Sequence, residues 1–420
     1  METQRLKLGI VGSVGVPAKY GGFETLVHHL VLQLGREFDL TVYCSGKNYP
    51  PEERTLTWHG ARLHYMPFQA NGLQSILYDL ACMVHALRRC DALLVLGVSG
   101  CLFLPLLKLF SRKKIAVNID GLEWRRPKWN WLAKRFLMLS EKIACRYADE
   151  IVTDNQILKE YVKIRYDISG NLIEYGADHV RQVPVSKEAL KEYPFLNQGY
   201  AFKVARIEPE NHLHTILEAF APLKEQPLVI VGNWNNSAYG RKLREHYSRY
   251  PHLFLLDPIY DGKKLDLLRS NCKFYVHGHS AGGTNPSLVE AMYLGLPVVA
   301  YDVIYNRVTT NNQAVFFTNA RDLKTIAANI DKYPLRAIAR DLKAFADRKY
   351  TWQSVSRRYA ELVQGMVHGK APVFELEPVT LEVDEAVVGY QPGFHIQLEE
   401  KLPAHQVGDS KQEHAGKRRA

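Results

Sequence analysis

The sequence predicts an α/β protein with two doubly wound domains, each built on a parallel sheet flanked by helices. Its 420 residues are too many for one ordinary domain. With 46% hydrophobic and 23% charged residues, the chain has the balance of a globular protein that buries a core. Short β-type runs alternate with helical stretches, and this alternation fades once near the middle and then restarts.

The first domain is predicted over residues 1–180. Its β-type runs are Leu6–Val11, Leu40–Cys44, Leu93–Val98, Ile115–Ile119 and Ile151–Thr153. Its clearest helical stretches are Phe23–Phe38, Leu73–Cys90 and Trp131–Tyr147.

One apolar stretch, Ala92–Phe110, is close to membrane-spanning length. Glycine, serine and proline interrupt it at Gly97, Ser99, Gly100 and Pro105, so we interpret it as a buried strand, a turn and a short helix. A strand-like run begins too early for a signal peptide, and the six cysteines are scattered without a C-x-x-C pair. These features predict a cytoplasmic protein with reduced thiols.

The second domain is predicted over residues 199–345, after a polar linker at 181–198. Its β-type runs are Ala201–Ala205, Leu228–Val231, Phe254–Leu256, Phe274–Val276, Val298–Ala300 and Val315–Phe317. A final helix falls within 346–369, and the Pro-, Glu- and Gln-rich residues 370–420 are predicted to be a mobile tail. Two doubly wound domains place a ligand cleft between them, at the carboxyl ends of the strands.

Charge is distributed unevenly along the chain. Residues 371–420 carry nine acidic and five basic side chains, a net charge of −4. Because the whole chain has a net charge of +10, residues 1–370 carry +14. This excess favours an anionic partner such as a nucleotide or a phospholipid surface, although simple solubility would explain it too. Nucleic acid is not expected, because no nucleic-acid-binding motif is present.

Glycines at the start of the chain suggest an anion site. The run Gly9-Ile-Val-Gly12-Ser-Val-Gly15 does not fit a dinucleotide fingerprint, because its glycines are three apart and no acidic residue ends the second strand. An NAD-dependent oxidoreductase is therefore a weak alternative. The pair Gly21-Gly22 directly precedes a helix, where backbone N–H groups can bind an anion, although a plain tight loop would look similar.

A stronger pattern follows the strand that ends at Val276. Asn285-Pro286 predicts a helix start, whose N–H groups at Ser287 and Leu288 would face a diphosphate. Glu290, one turn into that helix, would accept hydrogen bonds from ribose hydroxyls. Arg206, at another strand end, would bind phosphate oxygens through both arms of its guanidinium.

These segments resemble the retaining GT-B glycosyltransferases that use an E-x7-E motif, and among them the bacterial rhamnosyltransferases of surface-polysaccharide assembly. The resemblance covers nearly all of residues 6–368. Its markers are Pro17-Ala-Lys-Tyr-Gly-Gly-Phe-Glu, Asn118-Ile-Asp-Gly-Leu-Glu-Trp, Ala205-Arg-Ile-Glu-Pro-Glu-Asn, Leu256-Asp-Pro-Ile-Tyr and His277-Gly-His-Ser through Glu290-Ala-Met. Tyr350-Thr-Trp-Gln is similar to the segment with which the family's last helix crosses back to the first domain.

The resemblance implies a donor site made of Gly21, Gly22, Arg206, Glu210, Gly283, Thr284, Asn285, Ser287, Leu288 and Glu290. Two positions depart from the broad family: Gly282 replaces the first glutamate of the motif, and Asn211 replaces a lysine. The rhamnosyltransferase-like subgroup shares both changes, and Glu210, His279 or another lysine would compensate.

The catalytic candidates are Asp120, Glu123 and His279. Asp120 and Glu123 follow a strand end beside the cleft, where they could orient donor or acceptor hydroxyls or assist proton transfer. Capping and charge pairing are equally open roles for them. His277 and His279 could face one way as metal ligands, but no third ligand is near, so no metal is predicted. In a retaining mechanism the donor's own β-phosphate can serve as the base.

The predicted function is transfer of a deoxysugar, L-rhamnose from dTDP-L-rhamnose, to a polyprenyl-diphosphate-linked saccharide, without a cofactor. The alternatives are a transferase that uses another nucleotide sugar, such as a UDP-hexose, and a catalytically silent nucleotide-sugar-binding scaffold. The segment Arg125–Phe136 mixes tryptophans with basic residues, which suits peripheral binding to an anionic membrane or an ordinary amphipathic surface helix.

Overall fold

The computed structural model of the protein describes residues 5–18, 21–72, 74–119, 121–126 and 129–369. It contains two sheets, one in each half of the chain, with helices around them. The predicted fold class, α/β with two doubly wound domains, is confirmed. The tail predicted at 370–420 lies outside the described residues.

The first half holds an eight-stranded sheet in the order β3-β4-β2-β1-β5-β6-β7-β8. Its strands are β1 (Lys7–Val11), β2 (Asp39–Ser45), β3 (Thr57–Trp58), β4 (Ala61–Met66), β5 (Ala92–Leu96), β6 (Lys114–Asn118), β7 (Glu150–Thr153) and β8 (Asn171–Leu172). All neighbours are parallel except β3 and β4. Ile10 of β1 lies between Val42 and Leu94, so the apolar runs meet in register at the centre of the sheet.

The helices of this half are α1 (Gly22–Leu34), α2 (Gln74–Arg89), α3 (Leu104–Phe110), α4 (Trp131–Tyr147) and α5 (Gln156–Tyr166). Helix α1 ends four residues before the predicted Phe38, because Gly35, a poor helix former, caps it. The interpretation of Ala92–Phe110 is confirmed, since it forms β5, a 3₁₀ turn and α3. Within the described segments, no helix has the length and apolarity needed to cross a bilayer.

The second half holds a six-stranded parallel sheet in the order β11-β10-β9-β12-β13-β14. Its strands are β9 (Ala201–Val204), β10 (Leu228–Val231), β11 (Leu253–Leu256), β12 (Phe274–His277), β13 (Val298–Tyr301) and β14 (Val315–Phe317). The helices from here onward are α6 (Lys187–Glu192), α7 (Leu213–Phe220), α8 (Ala238–Tyr247), α9 (Gly262–Ser270), α10 (Pro286–Tyr293), α11 (Ile304–Thr309), α12 (Ala320–Ala328), α13 (Leu335–Lys349) and α14 (Trp352–His368). All of β10 is buried, as expected for a strand covered on both faces.

The segment 181–198, which we expected to be a polar linker, is partly helical. Ser186 caps α6 by accepting a hydrogen bond from the N–H of Ala189, and a 3₁₀ turn follows at Pro194–Asn197. Helix α6 has only six residues and buries none of them, so helical periodicity could not reveal it.

The chain crosses between the halves twice, and the two crossings touch. The N–H of Ala177 donates to the carbonyl of Tyr350 (2.8 Å), and the N–H of Trp352 donates to Oδ1 of Asp178 (2.7 Å). Gly176 packs against the Trp352 ring so closely that a Cβ at Gly176 would lie 2.5 Å from it. Helix α14 then packs on α1 of the first half.

Strand order reverses between β1 and β5 in the first sheet and between β9 and β12 in the second. Ligands of open α/β sheets bind beyond the carboxyl ends of the strands at such reversals. The loops after β1, β9 and β12 carry the candidate donor-site residues.

Candidate functional site

Two helix starts, one from each half, meet in the cleft. A Cβ built on Gly22, the first residue of α1, would lie 3.6 Å from Cγ of Pro286, the first residue of α10. Helix starts carry partial positive charge, so their meeting point favours an anion. Helix α1 has a buried carboxylate in its first turn, Glu24, which accepts a hydrogen bond from the N–H of Val14 (2.8 Å), whereas α10 has no acidic residue in its first turn. The start of α10 is therefore the more open anion site.

The start of α10 is built differently from our prediction. Oδ1 of Asn285 accepts the N–H of Ser287 (3.0 Å), and the carbonyl of Asn285 accepts the N–H of Leu288 (3.0 Å). The two N–H groups expected to face a diphosphate are thus used by the helix start, because the Asn285 side chain caps it. Thr284 is buried, and its hydroxyl accepts a hydrogen bond from Asn155 of the first half (3.2 Å).

Glu290 is held by two basic side chains from elsewhere in the chain. Its carboxylate pairs with the buried guanidinium of Arg269 and with Nε2 of His179 (3.2 Å). Arg269 also pairs with Asp266 (2.7 Å). Burial alone would raise the pKa of Glu290, but Arg269 and His179 outweigh it and lower this pKa to about 2. Glu290 is therefore an ionised, fixed hydrogen-bond acceptor.

The orientation of His179 is set by Trp352, which lies where the chain returns from the second half to the first. The indole N–H of Trp352 donates to Nδ1 of His179 (3.0 Å), which leaves the proton of a neutral imidazole on Nε2, facing Glu290. His29 of α1 stacks on the Trp352 ring at 4.2 Å between centroids. None of Arg269, His179 and Trp352 was predicted as a site residue. The spacing of Asp266 and Arg269, three residues apart in a helical stretch, does indicate an ion pair and could have drawn attention to Arg269.

Arg206 and Asn211 have separate roles. Arg206 is exposed at the end of β9, while its carbonyl accepts a hydrogen bond from Nδ2 of Asn211 (2.9 Å). Oδ1 of Asn211 bonds Nδ1 of His279 (3.0 Å). Burial, together with the charge of Arg126, lowers the pKa of His279 to about 3, so this imidazole is neutral. Asn211 thus joins the loops after β9 and β12 rather than supplying a cation.

Gly282 lies at the position where the broad family has a glutamate. The backbone conformation of Gly282 explains why a glycine is present here. Its φ of +95° is rarely adopted by residues with a side chain. Gly121 of the first half packs on it, since a Cβ at Gly121 would lie 2.7 Å from Cα of Gly282. A Cβ at the next residue, Gly283, would overlap the carboxylate of Asp154. The two halves therefore touch through glycine backbone at this point.

Beside this contact lies a cavity of about 290 Å³ shared by the two halves. Its lining residues are Arg125 of the first half and Pro209, Glu210, His212, Ser280, Ala281, Gly282 and Tyr305 of the second. Glu210 is buried, and its carboxylate lies beside that of Glu208 without a basic side chain paired to it among the ion pairs of the described residues. Burial and the nearby Glu208 carboxyl raise the pKa of Glu210. A buried carboxyl facing a cavity is suited to accept hydrogen bonds from a polar ligand.

Lys203 and His277 are buried on β9 and β12. Burial lowers the pKa of Lys203 to about 7, and burial with the Lys203 charge lowers the pKa of His277. The rings of His277 and His279 are 6.2 Å apart. Among the described residues, no three histidine, cysteine or acidic side chains are grouped as metal ligands would be.

Of the catalytic candidates, Asp120 lies outside the described residues. Glu123 pairs with Nε of the buried Arg126 (2.6 Å) and accepts the indole N–H of Trp129 (3.1 Å). The structure shows charge pairing for Glu123, and its role in orienting hydroxyls or in proton transfer stays a prediction. His279 lies in the wall behind Gly282, bonded to Asn211.

Two family models match the chain, one in each half. Residues 6–178 match a domain of unknown function (DUF1972), and residues 186–340 match the family Glycosyl transferases group 1. No curated protein sequence matches the chain.

Solved structures share its architecture at low sequence identity. Sucrose-phosphate synthase from Thermosynechococcus elongatus has a TM-score of 0.73 at 15% identity, over 87% of this chain and 100% of its own. HepE from Anabaena, solved in complex with UDP-glucose, has a TM-score of 0.69 at 15% identity, over 86% and 100%. A glycosyltransferase from Rickettsia africae has a TM-score of 0.65 at 12% identity, over 87% and 99%. The chain therefore has the GT-B fold, with a match to DUF1972 in its first half and a match to the family Glycosyl transferases group 1 in its second.

Proposed function

We propose that this protein is a retaining glycosyltransferase that moves a deoxysugar, L-rhamnose from dTDP-L-rhamnose, to a polyprenyl-diphosphate-linked saccharide. The observation that carries the transferase assignment is the start of α10, which meets α1 in the cleft with ionised Glu290 one turn in. Exposed Arg206, two residues after β9, adds a guanidinium. This arrangement combines an anion site with an ionised acceptor for hydroxyls, the two kinds of group that bind the diphosphate and the ribose of a nucleoside diphosphate.

Each of these groups would act on a different part of the donor. The N–H groups of Gly283 and Thr284, just before the capped helix start, and the Arg206 guanidinium would bind the diphosphate. Because the leaving nucleoside diphosphate gains charge as the sugar departs, these donors would act most strongly in the transition state. Glu290 would accept both ribose hydroxyls.

The sugar would occupy the cavity beside Gly282. Glu210 would take over the hydrogen bonds to sugar hydroxyls that a glutamate at position 282 would otherwise accept. The Gly282 backbone therefore offers a conformational reason for the missing glutamate, which weakens the alternative of a catalytically silent scaffold. No protein nucleophile is required, since the donor's β-phosphate would serve as the base. No cofactor or metal is included in the proposal.

The identity of the sugar rests on the sequence resemblance to rhamnosyltransferases. A UDP-hexose is the second candidate, and the HepE complex with UDP-glucose favours it. The proposed acceptor is lipid-linked, so the protein would work at the cytoplasmic face of the membrane, bound peripherally to anionic lipid.

A panel of nucleotide sugars tests the proposal. The purified full chain is incubated with dTDP-L-rhamnose, UDP-glucose and UDP-N-acetylglucosamine, and release of the nucleoside diphosphate is measured with and without lipid-linked saccharide. We expect release from dTDP-L-rhamnose. Release from UDP-glucose alone would replace the proposed sugar, and tight donor binding without turnover would favour the scaffold.

A further inference from the structure

An apolar patch lies on the outside of the first half, on α3 and α4. Helix α3 exposes Leu106, Leu109 and Phe110, and the side chains of Leu109 and Phe110 are 80% and 83% exposed. Helix α4 exposes Trp131 and Leu132, at 70% and 60%, and also Leu139. Scattered exposed apolar residues are ordinary, but six on two neighbouring helices mark an interaction surface. We call these six residues the outer patch.

The two helices form one surface because of their place in the sheet. Helix α3 connects β5 to β6 and α4 connects β6 to β7, and all three strands are parallel neighbours. Right-handed crossovers put consecutive connections of this kind on the same face of the sheet. Helix α3 packs against α4, so their solvent-facing sides are adjacent.

Basic residues stand between the apolar ones. The exposed stripe of α4 runs Leu132, Arg135, Leu139, Lys142 and Arg146, at helical spacings of three and four. Arg112, just after α3, is also exposed. Neither helix exposes an acidic side chain, because Glu141, the acidic residue of α4, is buried.

The patch overlaps the segment Arg125–Phe136 that the sequence suggested, but only through Trp131, Leu132 and the neighbouring Arg135. Arg126 is buried and paired with Glu123. The indole N–H of Trp124 donates to Glu141 (3.2 Å), and that of Trp129 donates to Glu123. These side chains hold the chain before α4 in place, so the groups able to enter a bilayer are the exposed side chains of α4 itself, from Trp131 onward, and those of α3.

We propose that the outer patch docks the protein on an anionic bilayer, with its apolar side chains in the headgroup boundary and Arg112, Arg135, Lys142 and Arg146 on lipid phosphates. The proposal deepens the proposed function, on which it rests for the membrane-bound acceptor. A second copy of the chain fits less well, because a symmetric pair would set these cations against each other. Nucleic acid fits less well too, since its binding draws on charge and needs no exposed leucines.

Vesicle co-sedimentation of the full chain tests this docking. We compare vesicles of phosphatidylcholine alone with vesicles that also contain phosphatidylglycerol. Wild-type protein should bind the anionic vesicles and lose binding as salt rises. The double variant Leu109→Ser, Phe110→Ser should weaken binding about tenfold, and Arg135→Ser, Lys142→Ser, Arg146→Ser on the order of a hundredfold. The matched control is Leu56→Ser, because Leu56 is 84% exposed outside the patch and should not affect binding.

Two results would overturn the proposal. The first is vesicle binding that neither set of patch substitutions weakens. The second is a wild-type dimer in sedimentation velocity that the Leu109→Ser, Phe110→Ser variant dissociates, without vesicle binding, which would make a second copy the occupant. Failure of the proposed function would be seen in a different assay, the release of nucleoside diphosphate from a nucleotide sugar without vesicles. In that assay every patch variant should match the wild type.

Discussion

Arg206 shows how one exposed side chain tests the donor site. Its carbonyl is bonded to Asn211, while its guanidinium extends into solvent at the end of β9. We predict that Arg206→Lys keeps the fold but lowers kcat/KM for the donor about ten- to a hundredfold, because an ammonium group cannot form the paired hydrogen bonds of a guanidinium. Steady-state kinetics measure the loss. Arg336→Lys, at an exposed site on α13, is the control, and full activity of Arg206→Lys would rule out paired binding.

Glu290 links the site to stability. We predict that Glu290→Gln lowers transfer and also lowers the free energy of unfolding by about 1–3 kcal/mol, because Arg269 then retains Asp266 as its acidic partner but loses Glu290. The pKa of Glu290 falls from 4.5 to about 2 on folding, so its stabilising effect is complete above 4.5 and is lost as pH falls toward about 2.

Urea unfolding at a series of pH values measures this effect. The stability difference between wild type and Glu290→Gln should be largest near neutral pH and should shrink below about 4.5. A difference that stays constant down to about pH 3 would show that the ionised pair does not stabilise the fold.

At the residue scale, the sequence predicted those members of the site that lie close together in the chain. Arg206, Asn285 and Glu290 sit in short motifs beside strand ends, where spacing alone suggests their chemistry. Arg269 is 21 residues from Glu290, and Trp352 is 173 residues from His179. Contacts over such separations depend on how the two halves pack, and periodicity carries no information about that.

At the scale of elements, the predicted strands were found because each is a largely apolar run, and most of them are buried; β11 and β14 are only partly buried. Strands β3 and β8 were missed, since each has only two residues. Strand β4, next to the edge strand β3, was missed because its charged and aromatic residues break an apolar pattern. Helix α5 was missed as well, although Asn155 caps it and was a readable start signal.

The contact between Gly176 and Trp352, the first residue of α14, predicts an effect on stability. We predict that Gly176→Ala lowers the free energy of unfolding by about 1–3 kcal/mol, because its Cβ would lie 2.5 Å from the Trp352 ring and 2.7 Å from the Trp352 backbone nitrogen. Urea unfolding measures it. Gly262→Ala is the matched control, since no atom lies within 4 Å of its Cβ and alanine suits the first turn of α9. Equal stability of the two variants would contradict tight packing at the crossing.

The whole molecule depends on the two halves closing through Gly121 and Gly282. We predict that Gly121→Ala holds the halves apart, lowers donor kcat/KM at least about tenfold and increases the radius of gyration. Kinetics and small-angle X-ray scattering measure these changes. Gly199→Ala is the control, because both glycines have positive φ, 53° and 64°, but the nearest atom to a Cβ at Gly199 is 3.7 Å away.

Matching effects in the two variants would mean that backbone strain, and not closure, accounts for them. A normal radius of gyration for Gly121→Ala would show that the cleft accommodates the added methyl group.

The hydrogen bond between Ala177 and Tyr350 also bears on how such a protein can be recombined. The chain leaves the first half at one point and returns beside it, so the second half is inserted between neighbouring positions of its host. Such a segment can be exchanged as a cassette through two adjacent junctions, provided that the contacts of Gly121, Asp154 and Asn155 with the second half are kept, and α14 stays with the half on which it packs. Under the proposed function, such an exchange would change donor preference while the first half is retained.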